Sequence, residues 1–143
     1  MNTSDMKAFE EGDILVGATL LNNPEDDHAG PGRIIQFDSD LNLKGTLWTD
    51  NTTHLVGGLK FDSNKDLWAF DSQNCSAIKV NASGEQSDQA DFGDRSFSNV
   101  NFLDNGEVLL GEHLTGDESN NLSLIHISEP TRPERICDGG VWV

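Results

Sequence analysis

The chain has 143 residues, 35% of them hydrophobic and 24% charged, which is enough to bury one ordinary core and is typical of a globular protein. Nine Lys and Arg residues stand against 25 Asp and Glu residues, so the formal net charge is −16. A surface of this charge repels nucleic-acid phosphates and anionic lipid, and we expect neither a nucleic acid nor a membrane as a partner. The acidic balance indicates a solvated surface, and the alternative is binding of a cation or a basic partner.

The two cysteines, Cys75 and Cys137, form no Cys-x-x-Cys pair and no cluster with histidine. The sequence therefore predicts neither a zinc site nor a disulfide framework. No apolar run reaches the roughly 18 residues of a membrane span. The first 13 residues are polar and lack the basic flank and apolar run of a signal peptide. We expect a soluble protein, and the sequence leaves its compartment open.

Along the chain, short apolar runs alternate with turns rich in Asp, Asn, Ser and Gly, which is typical of β-strands. Residues 1–11 are a polar lead-in, and residues 21–31 form a long loop. No stretch has a 3.6-residue period, so we expect almost no helix. The predicted strands are, in chain order, 12–20, 32–37, 43–48, 54–61, 66–71, 76–80, a weak edge strand at 89–92, 97–103 and 107–114.

An internal repeat is the strongest signal in the chain. The stretch GGLKFDSNKDLWAFD at residues 57–71 returns 41 residues later as SNVNFLDNGEVLLGE at residues 98–112. Residues 12–20 match residues 106–114 with four identities, and residues 33–43 align with residues 76–86. A period of about 40 residues with four short strands per unit is the spacing of β-propeller blades.

The repeat predicts the fold class. A four-stranded sheet cannot bury both of its faces alone, whereas stacked units can. The alternative is a plain antiparallel sandwich, which also has short strands every 8–12 residues, but the repeat favours a propeller. We predict an all-β, incomplete β-propeller of about two to two and a half four-stranded antiparallel blades within residues 1–121. It would hold a blade remnant at 12–50, a full blade at 54–94 and a half blade at 97–121.

The composition changes at Leu122, where the repeat is lost. The eleven residues LSLIHISEPTR at 122–132 resemble the conceptual translation of a transposase-type sequencing-library adapter. This resemblance predicts that residues 122–143 are a non-native tail and that the native chain is cut near Asn121. Residues 123–127 alternate polar and apolar side chains, so this stretch can pair as a strand by its period alone.

The repeated stretches resemble the blade motif of NHL-type and gluconolactonase-type (senescence-marker-like) propellers over roughly residues 12–114. In the lactonase-like enzymes, an Asn or Asp just before the motif glycine helps hold a divalent metal in the central channel. Here Gly57 and Ser98 occupy that position, and Asn99 is the nearest candidate, one residue out of register. This departure counts against carrying the metal site over to this chain.

Three residues are candidates for ligand binding: His54, Arg95 and Asn99. His54 and Arg95 stand at equivalent places, one turn before the predicted inner strands, where propeller loops often face the central channel. The alternative for both is a solvated or hydrogen-bonded loop side chain. Asp38, Asp40 and Asn42 have the D-x-D-x-N spacing of a calcium loop, but the sixth position is Leu43 and the twelfth is not Glu. We interpret them as a hairpin turn.

The sequence thus favours a truncated β-propeller that binds a small molecule or a protein on a loop face without a complete active site of its own. The alternative is a piece of a metal-dependent gluconolactonase-like hydrolase. Under that alternative alone, a divalent cation such as calcium would be the cofactor. We assign no catalytic residue and no metal ligand, and the enzyme question stays open, with a non-catalytic scaffold favoured.

Overall fold

The structure, a computed structural model, describes residues 3–26, 30–49, 52 and 58–112, together with the backbone of 122–126 and 141–142. The described part contains only β-strands and turns, which confirms the all-β prediction. Within it, no helix has the length and hydrophobicity needed to cross a membrane. The strands are β1 Thr3–Ser4, β2 Ile14–Thr19, β3 Gly32–Phe37, β4 Leu43–Thr49, β5 Leu59–Phe61, β6 Leu67–Asp71, β7 Ser76–Val80, β8 Gln86–Asp91, β9 Phe97–Phe102, β10 Glu107–Glu112, β11 Leu122–His126 and β12 Val141–Trp142.

The strands form three antiparallel sheets of four strands each. The first sheet has the order β1-β4-β3-β2, the middle sheet β5-β6-β7-β8, and the third sheet β12-β11-β10-β9. Within residues 1–121, where we predicted about two to two and a half four-stranded blades, the described strands are those of the first and middle sheets together with β9 and β10. The first sheet is completed by β1 from the supposed lead-in, and the third by β11 and β12 from residues 122–142.

The three sheets stack through two hydrophobic cores. Side chains of β6 alternate between them: Leu67 and Ala69 face the first sheet, whereas Trp68 and Phe70 face the third. The middle sheet is therefore covered on both faces. The first core contains Met6, Ile34, Leu47, Leu67, Ala69, Ile78 and Val80. The second core contains Trp68, Phe70, Ala77, Phe92, Phe97, Val108 and Leu110.

Positions related by the repeat occupy related places in this stack. Leu67 on β6 and Val108 on β10 lie 41 residues apart, and each is 1% exposed. Leu67 faces the sheet before its own, and Val108 also packs toward the sheet before its own. The sequence repeat is thus a repeat of packing as well as of strand order.

Four hairpins share one turn geometry. In each, the first residue donates its N–H to the carbonyl four residues on, and the fourth residue donates to the carbonyl of the first. The fourth residue has positive φ: Leu41 (66°), Lys65 (64°), Gly84 (84°) and Gly106 (85°). In three of them the first residue, an Asp or Asn, also caps the turn with its side chain. The turns span 38–42, 62–66, 81–85 and 103–107.

The N-terminal residues are part of the fold rather than a lead-in. β1 pairs with the outer edge of β4, and the chain then crosses the sheet at Gly45 to bury Met6, which is 7% exposed. A Cβ atom at Gly45 would lie 2.4 Å from the carbonyl oxygen of Asp5, so the crossing requires glycine there. Lys7 N–H then donates to the buried Gln36 Oε1 at 2.9 Å.

β8 differs from the sequence prediction in its first residue, whereas β11 lies where alternation alone allows a strand. β8 begins at Gln86 rather than at residue 89, because backbone pairing with β7 extends through its polar residues. Phe92, just beyond it, is fully buried and stacks on Phe70 with ring centroids 5.7 Å apart. β11 pairs with β10 from Glu107↔His126 to Gly111↔Leu122. Since alternation alone predicts that strand, its presence leaves the origin of the tail a prediction.

Candidate functional site

The structure brings two of the three predicted ligand residues to the same end of the β9–β10 pair. Asn99 lies opposite Gly111, and the next residue of β10, Glu112, binds Arg95. His54, the third prediction, lies outside the described residues, as does Gly57. The site can therefore be described from Arg95 and Asn99.

Arg95 is held by a two-pronged ion pair. Its Nε donates to Glu112 Oε1 at 3.1 Å, and its Nη2 donates to Oε2 at 3.0 Å. The two side chains are 17% and 7% exposed, and the guanidinium lies 5.1 Å from the centre of the Phe97 ring. A bidentate contact of this kind is the strong form of the Arg–carboxylate bond. Arg95 therefore ties the loop after β8 to β10, and a ligand would have to compete with Glu112 for its guanidinium.

Asn99 is the exposed member of the pair. Its Nδ2 donates to Ser98 Oγ at the long distance of 3.5 Å. Gly58, just before β5, packs against β9 here, and a Cβ atom at that glycine would lie 2.9 Å from the carbonyl oxygen of Ser98. Asn99 thus lies where the first strands of the middle and third sheets approach each other, with its amide facing solvent.

The described residues contain no group of three or more His, Cys, Asp or Glu side chains that could hold a metal ion. The calcium-like spacing at Asp38 is a hairpin turn, as interpreted from the sequence. Asp38 Oδ1 accepts the N–H groups of Asp40 and Asn42 at 2.9 and 2.8 Å, and its Oδ2 accepts Asn42 Nδ2 at 3.0 Å. These bonds, first that from the Asn42 side chain, hold the pKa of Asp38 below its usual value.

The first sheet contains a polar cluster that the sequence did not predict. Lys44 Nζ donates to both oxygens of Asp13, at 2.7 and 2.9 Å, and to Glu10 Oε2 at 2.8 Å. Gln36 Nε2 donates to Asp13 Oδ2 at 2.7 Å. Gln36 has no exposed area and lies on the core side of β3, so its partners must come from within the fold. Nothing local in the sequence marks residues 31 apart as an ion pair.

The cluster shifts the pKa values of Asp13 and Lys44. Burial acts to raise the pKa of Asp13, but hydrogen bonds from Lys44, the Glu10 backbone and Gln36 outweigh it, and the pKa lies below the usual value of 3.8. Hydrogen bonds to Asp13 and Glu10 raise the pKa of Lys44 above 10.5. The carboxylate of Asp13 is thus ionised and fully occupied, which suits a structural role better than proton transfer.

A cavity of about 330 Å³ opens between the first and middle sheets. It lies beside β2, and the carboxylate at its edge, Asp13, is already held by the polar cluster. The remaining lining residues are apolar apart from Lys60, so the cavity would contact a ligand mainly through apolar side chains. Its lining residues are Asp13, Leu15, Leu59, Lys60, Phe61 and Leu67.

No family model, no curated protein and no solved structure matches the chain. Any inference about function therefore rests on the stacked sheets and on the side chains at their ends. Of the polar cluster, the cavity and the β9–β10 end, only the last combines an exposed amide, at Asn99, with a guanidinium held in place, at Arg95.

Proposed function

We propose that the chain is part of a β-propeller that serves as a non-catalytic scaffold and binds a small molecule or a protein segment at the Asn99 end of its sheets. The supporting observation is the stack of three antiparallel sheets, in which repeat-related residues such as Leu67 and Val108, 41 residues apart, pack toward the sheet before their own. A sandwich has two packed sheets, so a covered middle sheet favours the propeller. Because propellers typically close with four to eight blades, three sheets would be one part of such a ring.

In this proposal Asn99 contacts the ligand, and Arg95 positions the loop beside it. The neighbours of Asn99 in the sheet, Ser98 and Gly111, carry no ionisable group, which supports binding rather than chemistry. An exposed amide can both donate and accept hydrogen bonds, so it suits a polar ligand such as a sugar acid or a peptide backbone. His54 would line the same end if it lies where the repeat predicts.

A binding screen with a matched control tests this function. Sugar acids, small carboxylates and short peptides are screened by ligand-observed NMR against the wild type, Asn99→Ala and Asn101→Ala. Asn101 is equally an exposed asparagine of β9, two residues farther from the site. Ligands that lose binding with Asn99→Ala but keep it with Asn101→Ala support the proposal. A screen without ligands, or ligands indifferent to both substitutions, contradicts it.

A second candidate function is a piece of a metal-dependent gluconolactonase-like hydrolase, in which a channel metal would polarise an ester carbonyl. The observation that favours it is the position of Asn99, one residue from the place where that family has a metal ligand. Calorimetric titration with Ca²⁺ and an assay of lactone hydrolysis separate the two functions. Calcium binding that is lost with Asn99→Ala, together with lactone hydrolysis, supports the hydrolase. If the chain shows no calcium binding and no hydrolysis, the hydrolase function is excluded for this chain.

We further propose that residues 122–143 are a translated adapter rather than native sequence. The loss of the repeat at Leu122 and the LSLIHISEPTR match support this origin. The test is the source DNA beyond the codon for Asn121. Further units at about 41-residue spacing would support the proposal, and an uninterrupted genomic reading frame through residues 122–143 would contradict it.

A further inference from the structure

The open side of the first sheet is an apolar surface with repeat-related counterparts inside the protein. We propose that this side, called here the leading face, binds the β9–β10 part of the third sheet of a second copy of the chain, head to tail. The leading face is defined by Ile14 and Val16 on β2 and by Ile35 and Phe37 on β3. The inference goes beyond the proposed function, because it concerns how sheets stack and not what Asn99 binds.

In the middle sheet, the face equivalent to the leading face packs against a neighbouring sheet. The counterparts of Ile14 and Val16, 53 residues on, are Leu67 and Ala69, which are 1% and 0% exposed because the first sheet covers them. Ile14 and Val16 themselves are 39% and 40% exposed. Apolar side chains at equivalent places in the repeat are thus buried in the middle sheet and exposed to solvent in the first sheet.

The second strand of the leading face follows the same rule. The counterparts of Ile35 and Phe37, 43 residues on, are Ile78 and Val80, and both have no exposed area. Ile35 and Phe37 are only half-buried. Strand register places Ile14 opposite Phe37 and Val16 opposite Ile35, so the four side chains form one continuous patch.

An arginine side chain lies at the margin of the leading face. Arg33 and Trp48 lie opposite each other on β3 and β4, and the guanidinium is 5.1 Å from the centre of the Trp48 ring. Arg33 Nε is buried and has no hydrogen-bond partner among the described residues. A buried donor of this kind is normally satisfied, and an acceptor from a covering sheet would do so.

The chain carries the complementary surface itself. Within the stack, each contact joins the leading face of one sheet to the opposite face of the sheet before it. On the third sheet that opposite face includes Leu109 and Gly111 of β10, the counterparts of Trp68 and Phe70 at 41 residues. Leu109 is half-buried, whereas its neighbour Leu110 has no exposed area because it faces the second core.

A contact between two different faces of identical chains is heterologous, and it either closes into a ring or grows into a chain of copies. Each copy carries a net charge of −16, so the copies repel each other in low salt. Added salt screens this repulsion and leaves the apolar contact intact. Association should therefore be weak in low salt and become tighter as the salt concentration rises.

Sedimentation velocity over a concentration series in low and high salt tests the proposal. Val16→Asp places a charge in the leading face, and Ile14→Asp is a second variant of the same kind. Leu109→Asp places a charge in the complementary face of the third sheet. Leu21→Asp is the matched control, since Leu21 is 62% exposed outside both faces. Far-UV circular dichroism checks that each variant keeps its strands.

We expect salt-enhanced association of the wild type and of Leu21→Asp, and association about tenfold weaker or more in Val16→Asp, Ile14→Asp and Leu109→Asp. Mixing Val16→Asp with Leu109→Asp should restore a dimer, because each partner supplies the face that the other has lost. A wild type that stays monomeric at every concentration and salt level overturns the proposal. So does loss of association with Val16→Asp but not with Leu109→Asp, which would indicate a contact between two leading faces. Asn99 lies on the same face of the third sheet as Leu109, so association of two copies would cover it. The ligand screen at Asn99 is therefore done at concentrations where the chain is a monomer.

Discussion

The ion pair between Arg95 and Glu112 fixes a loop that the strands alone do not hold. Glu112 is the last residue of β10, and Arg95 lies in the segment between β8 and β9. Both partners are mostly buried, and the guanidinium also covers the Phe97 ring. A paired buried charge is tolerated only while its partner remains, so loss of either partner should destabilise the protein.

Arg95→Ala should lower the free energy of unfolding by roughly 2–4 kcal/mol, because it leaves the Glu112 carboxylate buried and unpaired. Urea unfolding followed by tryptophan fluorescence measures the change. The matched control is the double variant Arg95→Ala with Glu112→Gln, which removes the orphaned charge and should recover part of the loss. A loss below about 0.5 kcal/mol for Arg95→Ala would show that the guanidinium is not structural and is free for a ligand.

The cluster of Asp13 and Lys44 predicts how stability depends on pH. The folded state lowers the pKa of Asp13, so its contribution is present above the usual value of 3.8 and is lost as pH falls through the lower folded pKa. The folded state raises the pKa of Lys44, so its contribution is complete below 10.5 and is lost as pH rises through the higher folded pKa. Between these limits the cluster adds a constant stabilisation.

Asp13→Asn should therefore flatten the fall in stability between about pH 4 and lower pH, because the substituted side chain does not titrate. Urea unfolding at a series of acidic pH values measures this slope. Asp40→Asn, a change at an exposed turn carboxylate, is the control. An acid slope that is the same in wild type and Asp13→Asn would contradict a lowered pKa at Asp13.

Among the elements, the four shared turns differ in how well their residues suit the backbone. The residue with positive φ is glycine in two of them, but Leu41 in one and Lys65 in another. A side chain in this left-handed region costs about 1 kcal/mol, because its Cβ atom crowds the following carbonyl. Leu41 is also 68% exposed, so it gains little from packing.

Leu41→Gly should raise the free energy of unfolding by up to about 1 kcal/mol, because it relieves this crowding. Thermal unfolding measured by calorimetry gives the change. Leu43→Gly is the control: Leu43 is 65% exposed, begins β4 and is not among the positive-φ residues, so glycine there should destabilise. A Leu41→Gly protein less stable than the wild type would contradict the turn geometry.

The N-terminal segment is a second element that the structure makes testable. Met6 should be needed for the first core, and Met6→Ala should lower the free energy of unfolding by about 2 kcal/mol through the cavity it leaves. Lys7→Ala, a change at an exposed neighbour whose backbone hydrogen bond is kept, should change it by less than about 0.5 kcal/mol. Equal, small effects in urea unfolding would mean that the segment does not pack as described.

The sequence predicted β3 and β7 with their observed bounds, because each has alternating apolar residues and a clear turn after it. It missed β1, because its partner β4 lies far away along the chain, and it missed the full length of β8, because the polar residues of that strand have no apolar alternation. It also missed Gln36, since a polar residue on the core side of a strand has no local pattern. Local period and turn chemistry specify central strands well, whereas edges and buried polar partners depend on the assembled sheet.

At the scale of the whole molecule, the repeat predicted that units stack, and the structure has three stacked sheets with a covered middle sheet. The candidate ligand residues remain predictions, and the structure shows only where two of them lie. The repeat singled out Arg95 and the family resemblance singled out Asn99, and in the structure they share an end of the sheet. The repeat could not predict that Glu112 occupies the guanidinium, because that partner arrives from the far end of the next strand.

Amide hydrogen exchange measured residue by residue by NMR tests most directly that the middle sheet is covered on both faces. β6 and β7 are central strands of the middle sheet, and β3 and β4 are the matched central strands of the first sheet, which packs through one face. We predict that the amides of β6 and β7 exchange most slowly, with the free energy of global unfolding, and that those of β3 and β4 exchange faster. Amides of Ala69 and Ile78 that exchange as fast as those of β3, or faster, would contradict the stack.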